Sequence, residues 1–130
     1  MFVVDIIIGM IILVLLDLLW IPNSKLSDNI AEIQGSPIKI KYIVLPFIYL
    51  LIATGIVVFV LPKINDNSLY ECVIYGGLFG AIAYGVYDLT NYALFTDYNL
   101  GLALQDMAWG FTAVAIASFL LVNIKKYFTM

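Results

Sequence analysis

The chain has 130 residues, 64% hydrophobic and 12% charged, with a formal net charge of -3. Soluble domains average about 45–50% apolar and ~25% charged residues, and a single domain of this length cannot bury such an excess, so lipid must be the solvent. Six lysines, no arginine and no histidine exclude a nucleic-acid footprint and remove the commonest general base and metal ligand, so neither cofactor nor metal is expected.

The first apolar stretch, Phe2–Ile21, has the roughly 20 residues a bilayer requires. It lacks a basic leader and a small-residue cleavage site, so it reads as an uncleaved span rather than a signal peptide. Pro22 ends it. In the connection to Lys39, Leu26, Ile30 and Ile33 fall at i, i+4, i+7, with Ser24 placed as N-cap and Gly35 as the stop. This predicts a short amphipathic helix that lies against the headgroups or caps the polar residues below it.

The second span is Ile40–Leu61, with Pro46 expected to kink it. Pro62 and the polar turn from Lys63 to Ser68 follow, then a third span, Leu69–Phe95. Only Thr96 to Asn99 separate it from the fourth, Leu100–Ile124, so these two must be antiparallel neighbours. The expected fold is all-α: a four-helix integral membrane bundle over residues 1–130, both termini on one face, with a surface helix between helices one and two.

Charge placement is more informative than charge number. The lysines sit at or beyond span ends, whereas Asp17, Asp88 and Asp106 lie inside spans. A charge at mid-bilayer costs about 2.5–3.5 kcal/mol even on lenient scales, which makes such residues candidates for function. Call the face reached at the end of the first span side 1. At 1.5 Å per residue all three acids lie roughly 6–11 Å below side 1.

The helical faces agree with this placement. In span three Gly76, Gly80, Tyr84, Asp88 and Asn91 form one stripe, with Tyr87 beside Asp88. Span four aligns Asp106, Gly110, Ala113 and Ala117, with Trp109 one turn from Asp106, and span one aligns Gly9, Leu13, Asp17 and Trp20. Small residues at this spacing let helices approach closely, so the acids belong to packed faces. Gly76 to Gly80 is accordingly a packing motif and not a phosphate cradle.

No arginine or lysine inside the spans can neutralise the acids. Each must be protonated, share a proton, accept hydrogen bonds or meet an external cation. Asp88 and Asp106 are expected close together with at least one protonated, and Asp17 is expected to be peripheral. Trp20, Tyr42, Tyr92 and Tyr98 also fit an interfacial aromatic belt. Asp5, Asp28, Glu32, Asp66, Glu71 and Asp97 read as solvated or headgroup charges, and the lone Cys72 as a small buried residue. The tetrad Asp-x-x-Trp occurs twice, at Asp17 to Trp20 and at Asp106 to Trp109, too short to stand as an internal repeat.

These residues resemble a known family, the small four-helix predicted membrane proteins, mostly bacterial, catalogued as domain-of-unknown-function family 2177. The resemblance rests on Asp17 and Trp20, on Tyr87, Asp88, Thr90 and Asn91, and on Asp106, Trp109 and Gly110. It covers nearly the whole chain and implies a site without naming a reaction. The departure lies outside the motifs, in lysine-only basicity and richness in Ile, Asn and Tyr.

The candidate cluster is therefore Asp17, Trp20, Tyr84, Tyr87, Asp88, Thr90, Asn91, Asp106 and Trp109. Three readings stand for it. It binds or transports a proton, cation or amine headgroup. It is the paired-Asp acid/base of a lipid-modifying enzyme, although no Ser or Cys sits beside the acids in sequence. Or it is helix-packing glue in a structural protein of an envelope or virus particle. Membrane lipids and a homo-oligomer or larger membrane assembly are the expected partners, and a cell or viral membrane the location. Orientation is tied, with Lys25, Lys39 and Lys41 on side 1 against Lys63, Lys125 and Lys126 on side 2.

Overall fold

A computed structural model describes residues 2–66 and 68–129; Asn67, in the expected polar turn, lies outside them. Among the described residues the chain is helical, without strands. Four helices are long and apolar enough to cross a membrane: Phe2–Asn23, Tyr42–Lys63, Leu69–Leu94 and Leu100–Phe128.

The first helix, α1 (Phe2–Trp20), runs into a 3-10 turn over Ile21–Asn23, so Pro22 tightens the helix for one more turn rather than ending it. The surface helix is α2 (Leu26–Gln34). Ser24 stands one residue earlier than expected: Lys25 takes the N-cap position, and Ser24 Oγ accepts from the Leu26 N–H at 3.2 Å. Gly35 ends α2 in the left-handed region (φ 73°), donating to the Ala31 and Glu32 carbonyls.

Span two begins with a 3-10 turn, Tyr42–Val44, and continues as α3 (Leu45–Gly55), a π turn over Ile56–Val60 and a 3-10 turn over Leu61–Lys63. Pro46 does not kink a helix interior. It sits in the first turn of α3, where its missing N–H has no helical partner to lose. Span three opens with α4 (Leu69–Glu71), capped by Ser68 Oγ, which accepts from the Glu71 N–H, then a π turn over Cys72–Gly76 and α5 (Gly77–Leu94). The last helix is α6 (Leu100–Thr129).

Glycine sets the helix spacing. A Cβ on Gly80 would run into the backbone carbonyl of Gly110, and one on Gly76 would lie 2.6 Å from Ser118 Oγ. Hence α5 and the π turn before it press directly on α6, the most extensive helix–helix interface of the bundle. Leu13, Ile56, Cys72, Val114 and Leu121 fill the core where the four spans meet.

The end of the bundle that holds both termini differs from expectation. Asp5 is not a solvated charge: it is 3% exposed and pairs with Lys125 Nζ at 3.0 Å. The pairing is available because α6 continues past Ile124, where the apolar stretch stops, and carries Lys125 back over the start of α1. The contact also sets the two termini on one face.

The two middle spans diverge toward side 1. Their π turns meet near side 2, where the Phe79 ring of α5 also packs on Gly55 of α3, and beyond that contact the two backbones draw apart. The bundle is therefore closed at the terminal face and splayed at the face where the acids lie.

Candidate functional site

The two Asp-x-x-Trp tetrads find each other. Three-residue spacing puts Asp and Trp on one face of a helix, one turn apart. Because α1 and α6 run in opposite directions, each Trp comes level with the Asp of the other tetrad. Trp109 Nε1 donates to Asp17 Oδ1 at 2.9 Å, and Trp20 Nε1 donates to Asp106 Oδ1 at 3.2 Å. The indoles stack between them, centroids 5.1 Å apart and planes 4° from parallel. The result is a reciprocal clasp between the first and last spans.

Asp17, expected at the edge of the cluster, is instead its most connected member. Its second oxygen accepts from the Tyr49 hydroxyl of α3 at 2.7 Å, and Tyr84 of α5 approaches from the other side. Trp20 correspondingly faces inward rather than serving as a belt anchor. Tyr49 was not singled out by sequence; the available signal was a hydroxyl midway along an apolar span, between Tyr42 and Thr54.

Asp88 is fully buried. The Tyr98 hydroxyl donates to its Oδ1 at 3.4 Å, while Oδ2 receives no donor and the carboxyl lies within hydrogen-bonding reach of Asp106. Tyr98 is thus no belt residue: it is 4% exposed, folded under α2 against Leu26 and Ala103. Burial, reinforced by the nearby carboxyls, pushes its hydroxyl up to about 12, so it remains an O–H donor at neutral pH. Asn91 stands beside the hydroxyls of Tyr87 and Tyr98. Thr90 does not join the cluster; it is exposed on the opposite side of α5, in a shallow groove with Ile82 and Met107.

A cleft of about 520 Å³ opens beside the clasp. Asp17 and Asp106 form its floor, and Trp20, Tyr49, Tyr84 and Tyr87 its aromatic walls. Ile48, Leu51 and Ile52 of α3 make an apolar rim, with Leu51 73% exposed toward the bilayer. Ser24, just before α2, and Leu26, Ser27 and Ile30 of α2 close the side 1 end. Asn29 fixes that cover: its Nδ2 donates to the Asp97 carbonyl at 3.2 Å, and its Oδ1 accepts from the Asn99 N–H at 2.9 Å. So α2 caps the polar residues. Ser24 and Ser27, remote from the acids in sequence, are brought to the cleft by the same fold. No lysine is among the described residues that line it.

Two carboxyls at the floor supply negative charge, ring faces add their quadrupoles, and no basic side chain competes. Among the described residues no group of three or more acids could hold a metal ion.

The chain has only two tryptophans, and both are in the clasp. Stacked indoles couple their transitions, so the near-ultraviolet circular dichroism should carry a couplet. Trp20→Phe and Trp109→Phe should each abolish it completely; a couplet persisting in either single variant would refute the stack.

A family model described as "Predicted membrane protein (DUF2177)" matches residues 2–122. No curated protein and no solved structure matches the chain.

Proposed function

We propose, for this chain, which belongs to the DUF2177 family of predicted membrane proteins, that the cleft binds the ammonium group of a cationic amphiphile entering sideways from the bilayer. The observation that carries this reading is the composition of the cleft: Asp17 and Asp106 at its floor, aromatic walls, an apolar rim and no lysine. An ammonium held there would gain charge-assisted contacts worth about 1.5–3 kcal/mol each and cation–π contacts of about 0.5–2 kcal/mol. Its tail would leave over Ile48 and Leu51 into lipid. Membrane lipids are then the working partners. Transport across the bilayer would need a second copy, because four helices make a narrow path.

The other readings have less behind them. Ser24 and Ser27 line the cleft, but Ser24 Oγ accepts a backbone N–H and neither serine has a carboxylate partner among the described residues. Glue accounts for the clasp, yet glue has no use for an open cleft beside it.

The test uses the full chain in nanodiscs of phosphatidylglycerol, which brings no amine. Dodecylamine and dodecyltrimethylammonium should each change tryptophan fluorescence saturably, since both indoles stand at the site. A second arm dopes the discs with phosphatidylethanolamine, separating a lipid headgroup from a free amine as the source. The Asp17→Asn, Asp106→Asn double variant should bind about tenfold or more weakly, the loss of about 1.4 kcal/mol or more. An equal response to dodecanol, which carries no charge, would sink the proposal.

A further inference from the structure

Asp88 has no place in the cleft described above, yet it is the most deeply buried of the three acids. Its exposure is 0%, and its Oδ2 has no donor. A carboxylate stripped of water and left with an empty lone pair is costly. Its neighbour is a second carboxyl, Asp106, which lies on the cleft floor and whose Oδ1 accepts from Trp20. Two carboxylates side by side repel, whereas one proton between them makes an O–H···O bond.

We infer that Asp88 and Asp106 hold one proton between them, and that this proton leaves when an ammonium takes Asp106 from the cleft. The second half rests on the ammonium-binding reading; the first half does not. The balance is one for one. The O–H bond of the pair breaks, the proton leaves Asp106 through the cleft to water, and the incoming cation replaces its charge.

The surroundings leave the proton no other seat. The pair is faced from the α5–α6 turn by the Tyr98 hydroxyl and from α5 by Tyr84 and Tyr87. Asp17 of α1 also stands near Asp106, but both of its oxygens already accept, from Trp109 and from Tyr49 of α3. From α2 the side chain packed on Tyr98 is the apolar Leu26.

Infrared spectra of the full chain in phosphatidylglycerol nanodiscs test the pair without any ligand. At neutral pH the wild type should show one protonated carboxyl band, which Asp88→Asn should remove and Asp106→Asn should shift, because Asp88 stays buried there and its proton meets an amide oxygen instead of a carboxylate. The circular dichroism couplet checks that each variant is folded. Adding dodecylamine should then erase the band, and its dissociation constant should rise about tenfold for each pH unit lowered. A wild type without the band overturns the shared proton. Binding that leaves the band in place, or that ignores pH, overturns the exchange. Absence of amine binding with the band present defeats the ammonium reading and the exchange, and leaves the proton pair standing on its own.

Discussion

Gly80→Leu should separate α5 from α6 and destroy the site 8 residues away at Asp88, the largest loss expected from any single change in the bundle. A Cβ at Gly80 would overlap the Gly110 carbonyl and come within 2.8 Å of Val114 Cβ. The first obstacle is backbone, which cannot rotate aside, so even alanine must push the helices apart. Overpacking a close contact costs about 1–3 kcal/mol, and leucine against backbone should reach or exceed the top of that range. Gly85 supplies the control. There a Cβ would meet the flexible end of Met107 at 2.8 Å, so Gly85→Ala should cost under about 1 kcal/mol. Thermal unfolding in detergent, read by helical circular dichroism, compares the two. Equal midpoints for Gly80→Leu and wild type would show that the glycine contact does not hold α5 to α6.

The spans were legible because lipid imposes a long, nearly uninterrupted apolar stretch, and the charges inside such stretches stand out. Span ends were less so. A helix that leaves the membrane needs no apolar residues, so α6 runs on through Lys125 and Lys126 where hydropathy stops. That extension is also why Asp5 was misread: its partner lies 120 residues away in the sequence. Pro46 could have been read correctly, since a proline in a first turn is unstrained, but that required knowing that α3 starts at Leu45.

Within the candidate site, periodicity carried the acids and failed for what surrounds them. Thr90 is two residues from Asp88 and therefore on the far side of the same helix; its inclusion came from a motif, not from a face. The reciprocal clasp depends on the register of two antiparallel helices, 86 to 92 residues apart at the bonded pairs. A tetrad that matches itself across an antiparallel pair was the available clue, and its value lay in direction rather than length. Tyr49 and Tyr98 reach the acids from the second span and from the α5–α6 turn, placements that no single-helix pattern contains.

Asp17 separates packing from function more sharply than the other acids, because two donors from two other spans converge on it. Asp17→Leu should leave Trp109 Nε1 and the Tyr49 hydroxyl without acceptors. Intramembrane hydrogen bonds average about 0.6 kcal/mol and reach about 1.7, so the two together are worth about 1–3.5 kcal/mol. The leucine variant should melt measurably earlier in detergent and lose the indole couplet as Trp109 comes free. Asp17→Asn keeps an oxygen for Trp109, and its amide can donate to the Tyr49 oxygen, so it should hold the couplet and most of the stability. If the aspartate were glue alone, the asparagine variant would match the wild type in every assay. Under the ammonium reading it folds normally yet binds dodecylamine more weakly, because a neutral amide offers no charge to the cation. Stability retained with binding retained would assign Asp17 to the packing of α1, α3 and α6. Stability retained with binding lost would assign it to the cleft.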